Sequence, residues 1–160
     1  MTKRSEKLAF MKVIDGSAFV YKRMSGFTEL SVSKNPKEYS RKYIDEDSER
    51  NSVVGYSTSI SYKLDYEPEN PVHKAIVQVT DYELTGANSI KDVVIVDLTT
   101  TDENGICHAI KREFAIVPSV EGNDSEAYTF SGNLKASGEM ISGTAESDDG
   151  WQTITFNEAE

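Results

Sequence analysis

A single cysteine, Cys107, is the only thiol in the sequence, so no disulfide can form within the chain and cross-linking plays no part in its folding. No run of roughly 18 apolar residues occurs, which argues against a membrane-spanning helix. The first residues, Met1 to Lys7, are basic but lead into no apolar stretch, so no signal peptide is expected and synthesis is expected in the cytoplasm. The phosphate-binding pattern Gly-x-Gly-x-x-Gly, the Walker pattern and the Gly-x-Ser-x-Gly elbow are all missing. The two histidines, His73 and His108, stand in neither a His-x-x-x-His nor a Cys-x-x-Cys frame, so zinc is unsupported. Cys107 and His108 are neighbours, but neighbours on a strand face opposite ways, and Cys107 reads as a packed strand residue. Asp45-x-Asp47 and Asp148-Asp149 hint at calcium without continuing into a twelve-residue loop closed by glutamate. Carboxylate pairs for glycoside hydrolysis are a very weak signal, because any acidic β-protein supplies candidates.

Excess positive charge is also missing. The net charge is −10, and it is uneven. Residues 1–120 hold 16 basic and 18 acidic groups, whereas residues 121–160 hold Lys135 against nine acids. Such a chain repels a phosphate backbone and has no basic stripe for nucleic acid. Its eight tyrosines lack the interleaved cations of a single-strand stacking platform.

What the sequence does hold is period-two alternation over one domain's length, residues 1–160. In Tyr56 to Leu64 the larger residues Tyr56, Thr58, Ile60, Tyr62 and Leu64 share one face, and serines and Lys63 the other. Thr28 to Ser33 alternates with Leu30 and Val32 inward, and Ala127 to Leu134 with Tyr128, Phe130 and Leu134 aligned. Val93-Val94-Ile95-Val96 is apolar on both faces and reads as a central, doubly covered strand. Phe114-Ala115-Ile116-Val117 is similar, with Pro118 expected to stop it. Trp151 to Phe156 is a closing strand, and Glu121-Gly122-Asn123-Asp124, Ser137-Gly138-Glu139 and Asp148-Asp149-Gly150 are turns. One helix is expected: Asn70 caps it, Pro71 opens it, and Val72, Ala75, Ile76 and Val79 follow helical spacing, with Gly86 near its end. The β-branched Ile76, Val77 and Val79 leave a strand as the rival reading.

Lys34 to Asn51 behaves differently. It holds ten charged residues and almost no apolar alternation. Lys34, Lys37, Arg41 and Lys42 make its first part basic; Asp45, Glu46, Asp47 and Glu49, followed by Arg50, make its second part mainly acidic. It is read as a long charged loop, either a solvated one or an assembly arm whose halves meet complementary patches on a neighbour, with Tyr39, Tyr43 and Ile44 as apolar anchors.

The order of these parts, a charged loop before a long strand, then the helix from Asn70-Pro71-Val72-His73-Lys74, then closing strands, resembles the tail tube (major tail) proteins of long-tailed bacteriophages and prophages. The stretches that carry the resemblance are Tyr56 to Tyr66, and Phe130-Ser131-Gly132-Asn133-Leu134-Lys135-Ala136-Ser137-Gly138-Glu139 through Gly143-Thr144-Ala145 to Phe156; overall it runs from Phe10 to Phe156. It implies a mainly β fold of two packed sheets, sandwich or partly open barrel, with one flanking helix. It implies homo-hexameric rings stacked into a tube that passes DNA without specific binding. It further implies a place in the virion tail beside tape measure, tail terminator and distal tail proteins, and no catalytic residue or cofactor. The Lys34–Asn51 segment corresponds in position to that family's loop against the neighbouring subunit or ring. Two other classes stay open: a monomeric β-sandwich that binds a carbohydrate or receptor, and a small β-barrel enzyme or lipocalin-like carrier.

Overall fold

The computed structural model describes residues 1–159 and is mainly β. Its elements run β1 (Lys7–Asp15), β2 (Ala18–Arg23), β3 (Phe27–Ser33), β4 (Pro36–Arg41), β5 (Arg50–Tyr56), β6 (Ser59–Asp65), α1 (Pro71–Asp81), β7 (Ile90–Asp97), β8 (Cys107–Glu121), β9 (Thr129–Ala136), β10 (Ile141–Glu146) and β11 (Thr153–Glu158). Nine strands form one sheet in the order β10-β11-β2-β1-β7-β8-β9-β6-β3, and β10 also pairs with β8. The six strands β10-β11-β2-β1-β7-β8 therefore close into a barrel. Closure is possible because β8 is 15 residues long. Its first part pairs with β10, from Cys107↔Ala145 to Lys111↔Ile141, and its second with β9, from Phe114↔Ala136 onward. β9, β6 and β3 then extend the sheet beyond the barrel.

The doubly apolar Val93–Val96 segment is central, as expected: β7 lies between β1 and β8. Val94 and Val96 turn into the barrel with Phe10, Cys107, Ala109, Ala145 and Ile154. Val93 turns outward into a second core, where Met11, Val13, Ile60, Phe114 and Leu134 meet the helix. Alternation at β6 is equally legible, with Thr58, Ile60, Tyr62 and Leu64 all buried.

α1 is a helix. Asn70 Oδ1 accepts from the Val72 and His73 amides at 2.9 and 3.4 Å, and Pro71 stands where no amide is needed. Val72, Ile76 and Val79 are each no more than 1% exposed, and such burial is worth about 1.5–3 kcal/mol per side chain. An 11-residue helix needs that support, since helices this short are marginal alone. Its end differs from the sequence expectation. Glu83, not Gly86, takes the left-handed conformation that terminates it, at φ 50°, and the Leu84 amide donates back to the Val79 carbonyl at 3.0 Å. Gly86 opens a separate short turn, Gly86–Ser89.

Other expectations are corrected by how far coverage reaches. Pro118 does not stop β8, which runs on to Glu121. The pairing with β7 ends at Ala115, and the β9 register shifts between Pro118 and Val120, so proline sits at a bulge on a one-sided stretch. Tyr128 precedes β9 and is 55% exposed, its ring edge-on to Phe130 and its hydroxyl donating to Glu121. Tyr56 belongs to β5 and is exposed, and Val32 is partly exposed at the sheet's free edge. Trp151 sits in the turn before β11 at φ 65°.

Candidate functional site

The segment read as a charged loop is a two-stranded ribbon. β4 and β5 pair only with each other, from Pro36↔Tyr56 to Arg41↔Arg50, with a register shift at Lys37/Glu38. The ribbon continues the β3–β6 pair, whose register ends at Ser33↔Ser59. The change of direction is pinned at Asn35, which takes φ 45°, accepts from the Ser33 hydroxyl at 2.9 Å and donates to the Ser57 carbonyl at 2.9 Å. Asparagine tolerates that backbone because its short side chain bonds locally.

Lys37, Tyr39 and Arg41 lie on β4, Arg50 opens β5, and Lys42, Tyr43, Ile44, Asp45, Glu46, Asp47 and Glu49 form the connection. Glu46 and Arg50 are joined by paired hydrogen bonds of 2.5 and 2.7 Å, the one ion pair among the described residues. Arg50 also covers the Tyr43 ring at 5.7 Å, and Arg41 covers Tyr39 at 5.1 Å. These contacts stiffen the end of the ribbon. Ile44 is left fully exposed at the turn, flanked by the free carboxylates of Asp45 and Asp47.

Three residues outside the expected set join this surface: Val53, Val54 and Tyr56, each at least half exposed on β5. The adjacent valines in a charged stretch are the sequence signal that could have found them. An isolated two-stranded ribbon is marginal in water, and this one carries six large exposed apolar side chains.

Beside the ribbon's base lies a cavity of about 630 Å³ on the outer face of the barrel, in the part that α1 leaves uncovered. Leu30, Ile95, Ile110, Val32 and Met140 supply apolar walls. Five of its lining residues are basic (Lys3, Arg4, Lys7, Lys34 and Arg112) and none is acidic. The arginines are fixed: Arg4 donates to the Lys7 and Leu30 carbonyls at 2.6 and 3.1 Å, and Arg112 to the Gly138 carbonyl at 2.7 Å. The lysines are exposed.

The residues weighed for chemistry do not converge. Cys107 points into the barrel and is 1% exposed, while His108 on the same strand is exposed. His73 is buried on α1, its Nδ1 accepting from the Glu67 amide at 3.1 Å and its Nε2 bonded to the Ser25 carbonyl at 2.8 Å. Burial holds its pKa below the usual histidine value against the opposing effects of Ser25, Glu67 and Asp65. Asp149 accepts from the Ser147 and Thr153 hydroxyls and from the Gln152 and Thr153 amides, which hold its carboxyl well below the usual range. It organises a turn. Among the described residues, no three His, Cys, Asp or Glu side chains are grouped to hold a metal ion, and no helix is long and apolar enough to cross a membrane. In the last quarter, the eight acids before Glu160 are all exposed, spread over the β8–β9 connection, Glu139, the β10–β11 region and Glu158.

No family model and no curated protein sequence matches the chain. Solved structures do. A chain from the tail of an empty GTA (gene transfer agent) particle with C6 symmetry superposes with a TM-score of 0.57 at 11% identity, covering 88% of this chain and 97% of that one. A chain of the anti-feeding prophage baseplate, 6-fold symmetrised, superposes with a TM-score of 0.49 at 12% identity, over 89% of this chain and 97% of that one. The first of these likenesses shows a shared fold over nearly the whole of both chains.

Proposed function

We propose that the chain is the repeating subunit of a phage or prophage tail tube, a single non-enzymatic domain that closes into rings, six-membered as in the symmetric tail it resembles, which stack into a tube. The observation that carries this is the fold likeness to a C6-symmetric tail over nearly the whole of both chains. Two features support it. β3 ends the main sheet with an unpaired edge, which ring closure would cover, and the ribbon leaves Ile44, Val53, Val54 and Tyr56 exposed to solvent beside its charged groups. In the assembled tail, DNA passes without specific binding, and the exposed acids of the final quarter suit a surface that must not hold it. The ribbon residues from Lys37 to Arg50 form the contact between subunits. Tape measure, tail terminator and distal tail proteins are the further partners, and the virion tail is the location.

Negative-stain electron microscopy of the purified protein across a concentration series tests this. Rings or tubes with a uniform central channel are the expected result. A persistent monomer at millimolar concentration that takes a carbohydrate or small ligand would overturn it in favour of a binding module or carrier.

A further inference from the structure

The ribbon tip and the cavity on the barrel's outer face carry complementary chemistry at opposite ends of one element. The tip offers a fully exposed isoleucine, Ile44, between the aromatic ring of Tyr43 and the carboxylates of Asp45 and Asp47. The cavity offers apolar walls and a rim with lysines and no acids, in a chain whose net charge is −10. No residue from 36 to 56 lines the cavity of its own chain. Lys34 lines the cavity, and β4 begins two residues later and runs six residues outward, which places the tip about 20 Å away. Asn35 pins the ribbon's base, and the β4–β5 ladder keeps the ribbon extended.

We propose that the ribbon tip of one copy docks in this cavity of the next, Ile44 entering the apolar part while Asp45 and Asp47 face Lys3 and Lys34 at the rim. The inference rests on the assembly reading above and names the site that receives the ribbon. Donor and acceptor are different surfaces, so the contact is head to tail. Contacts of that kind close into rings when the rotation between copies permits and otherwise grow as filaments. Opposite charges at the rim set register and speed encounter, and the apolar contact supplies the affinity. Glu46 takes no part, because Arg50 already holds it.

The test is a charge swap in the full-length protein, followed by sedimentation and electron microscopy. Asp45→Lys/Asp47→Lys and Lys3→Glu/Lys34→Glu change exposed side chains, and an unchanged far-ultraviolet spectrum checks the fold of each. Each double variant alone is expected to need about tenfold or more protein to assemble, because like charges then face each other. Mixed in equal amounts, they are expected to assemble as the parent does, since each tip meets a rim of opposite sign. If Lys3→Glu/Lys34→Glu assembles like the parent while the tip variant fails, the docking site is wrong and the assembly reading survives. If both fail alone and the mixture also fails, the pairing of tip with rim is excluded. If the parent itself never assembles, both readings fall.

Discussion

The hydroxyl oxygen of Tyr62 on β6 lies over Gly132 of β9, its direct cross-strand partner, so closely that a methyl group on Gly132 would come within 2.9 Å of it and closer still to the Val117 carbonyl. Glycine here makes room for a tyrosine on the adjacent strand and for the bulged stretch of β8 on the other side. The Tyr62 hydroxyl is buried with no hydrogen-bond partner among the described residues, and burial pushes its pKa up to about 12.

Gly132→Ala is therefore expected to cost about 3 kcal/mol, because the neighbours that must move include backbone. Tyr62→Phe is expected to be neutral or to stabilise by up to about 1 kcal/mol, since it removes a polar group that has no partner. Urea unfolding of the two variants measures both; a large loss for Tyr62→Phe would mean the hydroxyl has a partner.

Gly26 stands in the left-handed region at φ 76°, and a methyl group there would come within 2.8 Å of His73 Cε1. Gly26→Ala is expected to cost about 3 kcal/mol, part backbone strain and part contact. A His73→Ala background removes the contact and leaves the strain, so the cost of Gly26→Ala should fall there. Additive losses in a double-mutant cycle would show that the ring does not set the glycine requirement.

The same histidine gives a pH dependence. Its folded pKa lies below the ordinary 6.5, so below pH 6.5 the unfolded chain binds more protons than the folded one. Its contribution is complete above that value and declines as the solution is acidified. The Glu67 amide already occupies Nδ1 as a donor, so protonation there breaks that bond. Stability measured between pH 7 and 5 should fall in the parent and fall less steeply in His73→Gln. Parallel slopes would exclude His73 as the source.

Glu83 ends α1 in a conformation that favours glycine. Glu83→Gly is expected to stabilise by about 0.5 kcal/mol, the relief of left-handed strain being partly offset by glycine's entropy in the unfolded chain. Thermal unfolding gives the sign, and destabilisation would show that the Glu83 side chain contributes more than its backbone strain costs.

Deleting Lys37 to Arg50 is expected to leave the barrel folded and abolish assembly, because β4 and β5 pair with no other strand. Circular dichroism and sedimentation together check this. Loss of the folded β spectrum would show that the ribbon supports the barrel.

Much of the core was legible because alternation along a strand records which face is covered. Alternation marks Thr58 to Leu64 and Val93 to Val96 as covered, and Asn70-Pro71 places the helix start through local capping chemistry. The same rule explains the ribbon's misreading. Both faces of β4 and β5 are exposed, so no face is selected to be apolar and no period appears, although the two strands pair with each other. Alternation alone places Tyr56 on the buried face of β6, because the pattern continues across the bend at Ser57, where the chain leaves the covered sheet.

The sequence by itself determined a β-rich chain with one capped helix, a doubly buried strand, a distinct charged segment and no recognisable catalytic pattern. The tertiary structure decided that β8 pairs with β10 and β9 in succession, that six strands thereby close into a barrel, and that a basic-rimmed cavity opens beside the ribbon's base. The reason is physical. Local patterns report burial and capping within a few residues, whereas barrel closure and the meeting of Lys3, Lys34 and Arg112 depend on pairings between strands far apart in the chain, whose register is set only when all the covered faces pack at once.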